Sequence, residues 1–195
     1  DRAVWLAADD KVNPFGVPIL DLTRNLKMTS MTKDPEVASR SMSWKAGDHD
    51  RLTWDIEGES IPCDLEYAAA SSLPSGMLFI PAAMEDKWVI AVKDGQVAVA
   101  RSWSGETSVI ADVVHSGERL RVTRLTVAHL SPLRSFGESV STFDWLIKAH
   151  ALGERIPLPV SAEGSGVLEA FPLSSFSPFG RRVFCAARDY SPPPS

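Results

Sequence analysis

The sequence contains few of the residues that build reactive or metal centres. Its 195 residues include only two cysteines, Cys63 and Cys185, and four histidines. Two thiols can form at most one disulfide, and no histidine lies in a CxxC or HxxxH pattern, so neither a disulfide framework nor a zinc site is expected. No GxSxG nucleophile elbow, no phosphate-binding Gly-Lys-Ser/Thr loop, no HExxH and no GxGxxG after a predicted strand is found. We therefore expect no metal and no cofactor, identify no catalytic residue, and leave open whether the protein is an enzyme.

Long runs of basic or of apolar residues are missing as well. The net charge is −5, from 25 acidic and 20 basic residues, whereas a phosphate backbone requires clustered positive charge. The same deficit argues against anionic membrane surfaces. No apolar run approaches the roughly 20 residues that span a bilayer, and no charged-then-apolar signal segment opens the chain. We expect a soluble cytoplasmic protein whose partner is an unknown protein or a small molecule, in an oligomeric state that the sequence does not specify.

What the chain does contain is an ordinary globular composition enriched in tryptophan. It is 44% hydrophobic and 23% charged, with six tryptophans. Large aromatic side chains indicate either a heavy core or an exposed binding face. The absence of a repeat or a long linker predicts one globular domain over residues 1–195, with a frayed tail at 191–195.

Residues 61–128 have the pattern of β-structure. Asp94-Gly95 lies between two alternating apolar segments, which is the strongest short-range signal for a β-hairpin. Two further reversals follow at Ser104-Gly105 and Ser116-Gly117. This spacing predicts an antiparallel β-meander of about five or more strands, including segments 87–92, 96–103, 107–114 and 119–128.

Two helices have recognisable starts. Asp34 is a good N-cap before Pro35, and this helix is predicted to run to about Trp44. Ser141 with Asp144 resembles a capping box for a second helix over 143–151, which Gly153 would end. Segment 157–159, which contains two prolines, is expected to break regular structure. The predicted fold class is therefore α+β, with the meander packed against two or three helices.

The predicted hairpin defines a candidate site. A two-residue turn places Trp88 opposite Arg101 and Asp86 opposite Trp103, all on one face of the sheet. Arg101 can then lie over the Trp88 ring and donate a hydrogen bond to Asp86 on the diagonal. Glu85 and Asp86 would lie at the rim of this cluster.

The cluster has three interpretations that the sequence leaves open. It can be structural, with an ion pair between Asp86 and Arg101 and with the tryptophans in the core. It can be a pocket for a planar or anionic ligand, since arginine presents a rigid donor fork beside aromatic faces. It can also be part of a protein interface, where tryptophan and arginine are enriched.

Two motifs at this hairpin resemble a family of uncharacterised bacterial proteins. The segments Met84–Trp88 and Arg101–Gly105 are similar to that family's paired motifs, MEDKW and RSW(T/S)G. Segments 13–18 and 179–182 also resemble it. The resemblance implies a soluble bacterial protein and no established activity. This chain has Ala100 where the family often has histidine, so no catalytic residue is transferred.

We expect the protein to be a non-enzymatic interaction or accessory module. The alternative is a small-ligand-binding domain, or an unrecognised enzyme, that uses an aromatic and arginine pocket on the 86–103 hairpin. The residues of that pocket would be Glu85, Asp86, Trp88, Arg101 and Trp103.

Overall fold

The structure is a computed structural model that describes residues 3–26, 34–134, 137–191 and 193. The chain divides into two compact units, which are described separately. The small-sheet unit comprises Asp1–Lys33 and Leu133–Pro192, and the meander unit comprises Asp34–Pro132 and Pro193–Ser195. The expectation of one domain stays a prediction. Of the expected frayed tail, residues 192, 194 and 195 lie outside the described residues.

The meander unit is built on a sheet of six antiparallel strands. The last five strands of the sheet lie side by side in chain order, and its first strand borders its last. This arrangement confirms the predicted α+β class and the antiparallel meander. The strands are β3 (Gly58–Ala68), β4 (Gly76–Phe79), β5 (Trp88–Lys93), β6 (Gln96–Arg101), β7 (Thr107–Ser116) and β8 (Arg119–Ala128).

The hairpin between β5 and β6 turns through Asp94 and Gly95 alone. Both residues have positive φ, 49° and 79°, as a two-residue hairpin turn of type I′ requires. Lys93 pairs with Gln96 on either side of the turn, and Trp88 pairs with Arg101 further along the ladder. The predicted register is therefore confirmed over the length of β5.

The two faces of this hairpin differ in side-chain size. One face carries the large residues Trp88 and Ile90, which are fully buried. The other carries small residues, including Ala91 and Ala98, and the Trp44 indole packs on it together with Leu52. Small side chains leave room for a large ring at close range, so the segment after the first helix of this unit covers the sheet here.

That helix is α2 (Pro35–Ser41), and it begins as predicted. The Asp34 side chain accepts a hydrogen bond of 2.9 Å from the Glu36 amide, and Pro35 takes the first helical position. The helix ends at Ser41, three residues before the predicted end, because Met42 leaves the helical conformation with ψ at 6°. This early end frees Trp44 to pack on the sheet. A 3₁₀ helix follows at Asp48–Arg51.

The small-sheet unit contains a mixed sheet of four strands. Its order is β1 (Val4–Leu6), β2 (Ile19–Asp21), β10 (Cys185–Arg188) and β9 (Leu158–Val160). The last two are parallel and the other pairs are antiparallel. The prediction that segment 157–159 breaks regular structure is wrong. Pro159 is tolerated in β9 because this strand lies at the edge of the sheet, where a missing amide donor costs no ladder bond.

The long helix of this unit is α3 (Ser139–Leu146), which continues as a π-helix over Ile147–Ala151. Its N-cap is Glu138, so the predicted capping box of Ser141 and Asp144 is wrong. Asp144 instead lies in the interior, where it forms a 3.0 Å ion pair with Lys148. Gly153 follows with φ of 71°, in agreement with its predicted role as the stop.

The remaining helices are short. Among the described residues, none of the helices combines the length and the apolar character that crossing a bilayer demands. The remaining helices are α1 (Thr23–Leu26), α4 (Ala162–Ala170), α5 (Phe176–Phe179) and the 3₁₀ helices Pro132–Arg134, Pro172–Ser175 and Gly180–Arg182.

The turn generates a first prediction. Gly95→Ala should lower the free energy of unfolding by about 1–2 kcal/mol, because an L-residue with a Cβ is strained at positive φ. A Cβ at this position meets only Val113 O at 3.6 Å, so the cost is conformational rather than a clash. Urea denaturation followed by circular dichroism measures the change.

Gly47→Ala is the matched control, because Gly47 has φ of −88° and open space around its Cβ position. An equal loss of stability in both variants would contradict the assignment of the turn.

Candidate functional site

The centre of the predicted cluster is a stacked pair inside the meander unit. The Arg101 guanidinium lies over the Trp88 ring, 4.7 Å from its centroid, in the predicted cation–π arrangement. Trp88 is fully buried and Arg101 is largely buried. Burial lowers the pKa of Arg101 to about 10, and the nearby Glu106 carboxylate opposes that shift. This pair therefore belongs to the interior of the unit.

The residues just before β5 are also interior or half-buried. Asp86 has no exposed surface, its carboxylate accepts a 3.0 Å hydrogen bond from the Ala82 amide, and its carbonyl accepts one of 2.8 Å from Ser102 Oγ. Glu85 is half-buried in the bend that precedes it. Asp86 does not lie at a rim, contrary to expectation. The predicted hydrogen bond from Arg101 to Asp86 stays a prediction.

Trp103 lies apart from this interior group. The prediction that it pairs with Asp86 in a ladder is wrong, because β6 ends at Arg101 and the chain turns back. The Gly105 amide donates to the Arg101 carbonyl at 2.8 Å, and Gly105 has φ of 73°. The Trp103 side chain is consequently 45% exposed.

Trp44 connects this turn to the segment that follows α2. Its indole Nε1 donates a 2.6 Å hydrogen bond to the Ser102 carbonyl, and the contact is buried. The Arg51 guanidinium lies over the same indole, 4.7 Å from its centroid, and Arg51 Nη1 donates a hydrogen bond to Asp48 at 2.8 Å. The Trp44 ring also runs beside Gly105, whose Cβ position is 3.6 Å from it. The Trp44 indole thus contacts both Arg51 and the Ser102–Glu106 turn.

The result is a groove of about 580 Å³ on the meander unit, which we call the Trp103 groove. Of the predicted site residues, only Trp103 lines it; Glu85, Asp86, Trp88 and Arg101 do not. Arg40, Trp44 and Arg51 also line the groove, and no local sequence signal links them to the hairpin, because they lie about fifty residues before it. Ser104 and Glu106, in the turn that follows β6, line it as well.

A second cavity of about 320 Å³ lies in the small-sheet unit. It is found where β9 and β10 end, and its polar lining includes Glu138, Asp189 and Tyr190. Burial raises the pKa of Tyr190, and the neighbouring Cys185, Glu154 and Asp144 add to this shift. None of the predicted site residues lies here.

The chemically reactive residue types are held in structural positions. Burial raises the pKa of the Cys185 thiol to about 12 and also raises that of Cys63, so both thiols are protonated at neutral pH. The Asp48 and Asp50 carboxylates form ion pairs of 2.8 Å with Arg51 and Lys93. Within the described part of the chain, no group of three His, Cys, Asp or Glu side chains is placed to hold a metal ion.

Comparison with protein-family models, with curated proteins and with solved structures found no match for this chain. The resemblance to a bacterial family through the paired motifs stays a prediction. The interpretation of the site therefore depends on its geometry alone.

The different environments of Arg101 and Trp103 lead to a second prediction. Arg101→Ala should lower the free energy of unfolding by about 1–3 kcal/mol, because it removes a largely buried cation–π partner of Trp88. Trp103→Ala should lower it by a smaller amount, because 45% of the Trp103 surface already lies in solvent. Thermal and urea denaturation of both variants would check this. Equal effects of the two substitutions would refute the separation into an interior pair and a surface residue.

Proposed function

We propose that the protein is a non-enzymatic interaction module that binds its partner through the Trp103 groove. The lining combines two indoles with two guanidinium groups, the side chains that dominate the binding energy of protein interfaces. Tryptophan supplies a large apolar surface with few rotatable bonds, and arginine supplies several donors on a planar group. Both residue types are suited to binding without any chemical step.

The observation that carries this proposal is the exposure of Trp103. Trp88, on the adjoining hairpin, is fully buried, whereas Trp103 leaves 45% of its surface in solvent beside Arg40 and Arg51. An exposed indole beside two exposed guanidinium groups is the combination that is enriched in the residues that dominate protein interfaces.

The second candidate is a small-ligand-binding domain or an enzyme that uses the same groove. A volume of about 580 Å³ supports this alternative, because small-molecule sites span roughly 300–1,000 Å³. Such sites enclose most of the ligand, however, and Arg40, Trp103 and Ser104 are all exposed. Open lining residues favour a macromolecular partner.

We further propose that the partner is a protein rather than nucleic acid or a membrane, and that binding takes place in a bacterial cytoplasm. The net charge of −5 supports the first part, because long-range attraction of a polyanion requires a surplus of positive charge. The resemblance of the paired hairpin motifs supports the second.

Site-specific photo-crosslinking tests the proposal directly. Benzoylphenylalanine placed at position 103 in cells should form a discrete adduct with one protein, identified by mass spectrometry. The same group at Phe171, which is 70% exposed in the small-sheet unit, is the control and should not form this adduct.

The identified partner should then bind the purified protein, and Trp103→Ala should weaken that binding by at least 2 kcal/mol, about thirtyfold, as expected for an interface hot spot. Calorimetric titration measures the affinity. An adduct that forms equally from both positions, or an unchanged affinity, would overturn the proposal.

A further inference from the structure

The Trp103 groove contains two arginines, Arg40 and Arg51. Their guanidinium groups differ in how many hydrogen-bond donors are already engaged within the protein. Arg51 is held in place, since its guanidinium stacks on Trp44 and one nitrogen, Nη1, donates to Asp48. Within the described residues its remaining donors have no second acceptor. A guanidinium fixed in this way has already lost much of its rotational freedom, so a further hydrogen bond costs it less entropy.

Arg40 is the more available cation. It lies in the last turn of α2, where its charge complements the helix dipole, and its side chain is exposed. No acceptor for the Arg40 guanidinium is found among the residues that the structure describes. Its planar donor fork therefore remains open to a carboxylate from outside.

Glu106 is the acidic residue of the groove lining, and it is electrostatically matched to Arg101. Its carboxylate stabilises the charged form of Arg101 and opposes the effect of burial on that residue. The groove lining carries two arginines and one glutamate, a formal surplus of one positive charge on a chain whose net charge is −5.

We infer that the groove recognises an acidic segment of the partner protein in which carboxylate side chains flank an aromatic or apolar side chain. This inference rests on the proposed function and specifies the partner's chemistry. The carboxylates would pair with Arg40 and Arg51, and the aromatic or apolar side chain would pack on Trp103. The combination explains why charge and exposed indole surface occur together.

A polyphosphate backbone fits the groove less well. Binding of nucleic acid depends on a series of cations that follow the phosphates, and the groove lining offers two arginines. Two guanidinium groups match one or two carboxylates of a peptide. Single-stranded DNA is therefore the competing outcome of the test.

Fluorescence polarisation with synthetic ten-residue probes tests the inference. A labelled peptide of alternating aspartate and phenylalanine should bind at least tenfold more tightly than peptides alternating serine or lysine with phenylalanine, and more tightly than decathymidine. Its affinity should fall as salt is raised from 50 to 300 mM (about a twofold decrease in screening length), because ion pairs at an open surface are screened.

Matched variants locate the binding. Arg40→Gln and Trp103→Ala should each weaken binding of the aspartate peptide about tenfold. The first removes the guanidinium that pairs with a carboxylate, and the second removes the indole on which phenylalanine packs. Arg119→Gln is the control, because Arg119 is exposed and paired with Glu66 at 3.3 Å on the far part of the sheet, outside the groove lining. It should leave the affinity unchanged. Melting temperatures confirm that all three variants are folded.

Three results would overturn the inference: equal binding of the serine peptide, tighter binding of decathymidine, or an aspartate peptide whose affinity does not depend on Arg40. None of them affects the crosslinking result at position 103. Failure of the acidic-segment inference and failure of the proposed function are thus distinguishable.

Discussion

The hydrogen bond from the Trp44 indole to the Ser102 carbonyl joins two parts of the chain that are 58 residues apart. At 2.6 Å and in a buried position, it fixes the start of the turn after β6 against the segment that follows α2. The same indole packs on the small residues of the hairpin and supports the Arg51 guanidinium. The shape of the groove and the orientation of one of its cations both depend on this ring.

The two tryptophans of the paired motifs have opposite environments for a simple geometric reason. Trp88 lies within β5, where the ladder fixes its side chain on the buried face opposite Arg101. Trp103 lies two residues beyond the end of β6, in a turn closed by Gly105, and no ladder determines its direction. The alternation of side chains along a strand therefore predicts the direction of the Trp88 side chain correctly and that of Trp103 incorrectly. Each of the two motifs contains a tryptophan, yet Trp88 is a core residue and Trp103 is a surface residue.

Local signals account for the part of the fold that could be predicted. Asp94 and Gly95 specify the turn, the turn specifies the register, and Asp34 with Pro35 specifies the start of α2. Each of these depends on neighbours within a few residues. The end of α2 could not be predicted in the same way, because no glycine or proline marks it and the next residues pack on a sheet that is distant in sequence.

The features that sequence reasoning missed are those that depend on distant partners. β9 contains Pro159 and forms only because β10 provides a parallel neighbour almost thirty residues later. Of the groove, Trp103 was identified, whereas Arg40, Trp44 and Arg51 carry no local signal that links them to the hairpin. Asp144 likewise matches a capping box in sequence but is taken up by the buried ion pair with Lys148. In the first two examples, contacts between residues distant in sequence determine the structure.

Trp103, and not Trp88, is the tryptophan that we expect to meet the partner. This is tested by a ¹⁵N-edited NMR titration of the six tryptophan indoles with the peptide of alternating aspartate and phenylalanine, assigned with a Trp103→Phe variant. The Trp103 indole resonance should move progressively and saturate, while that of Trp88 stays in place. Peptide binding that leaves the Trp103 resonance unmoved would refute the role of Trp103 as the contact residue.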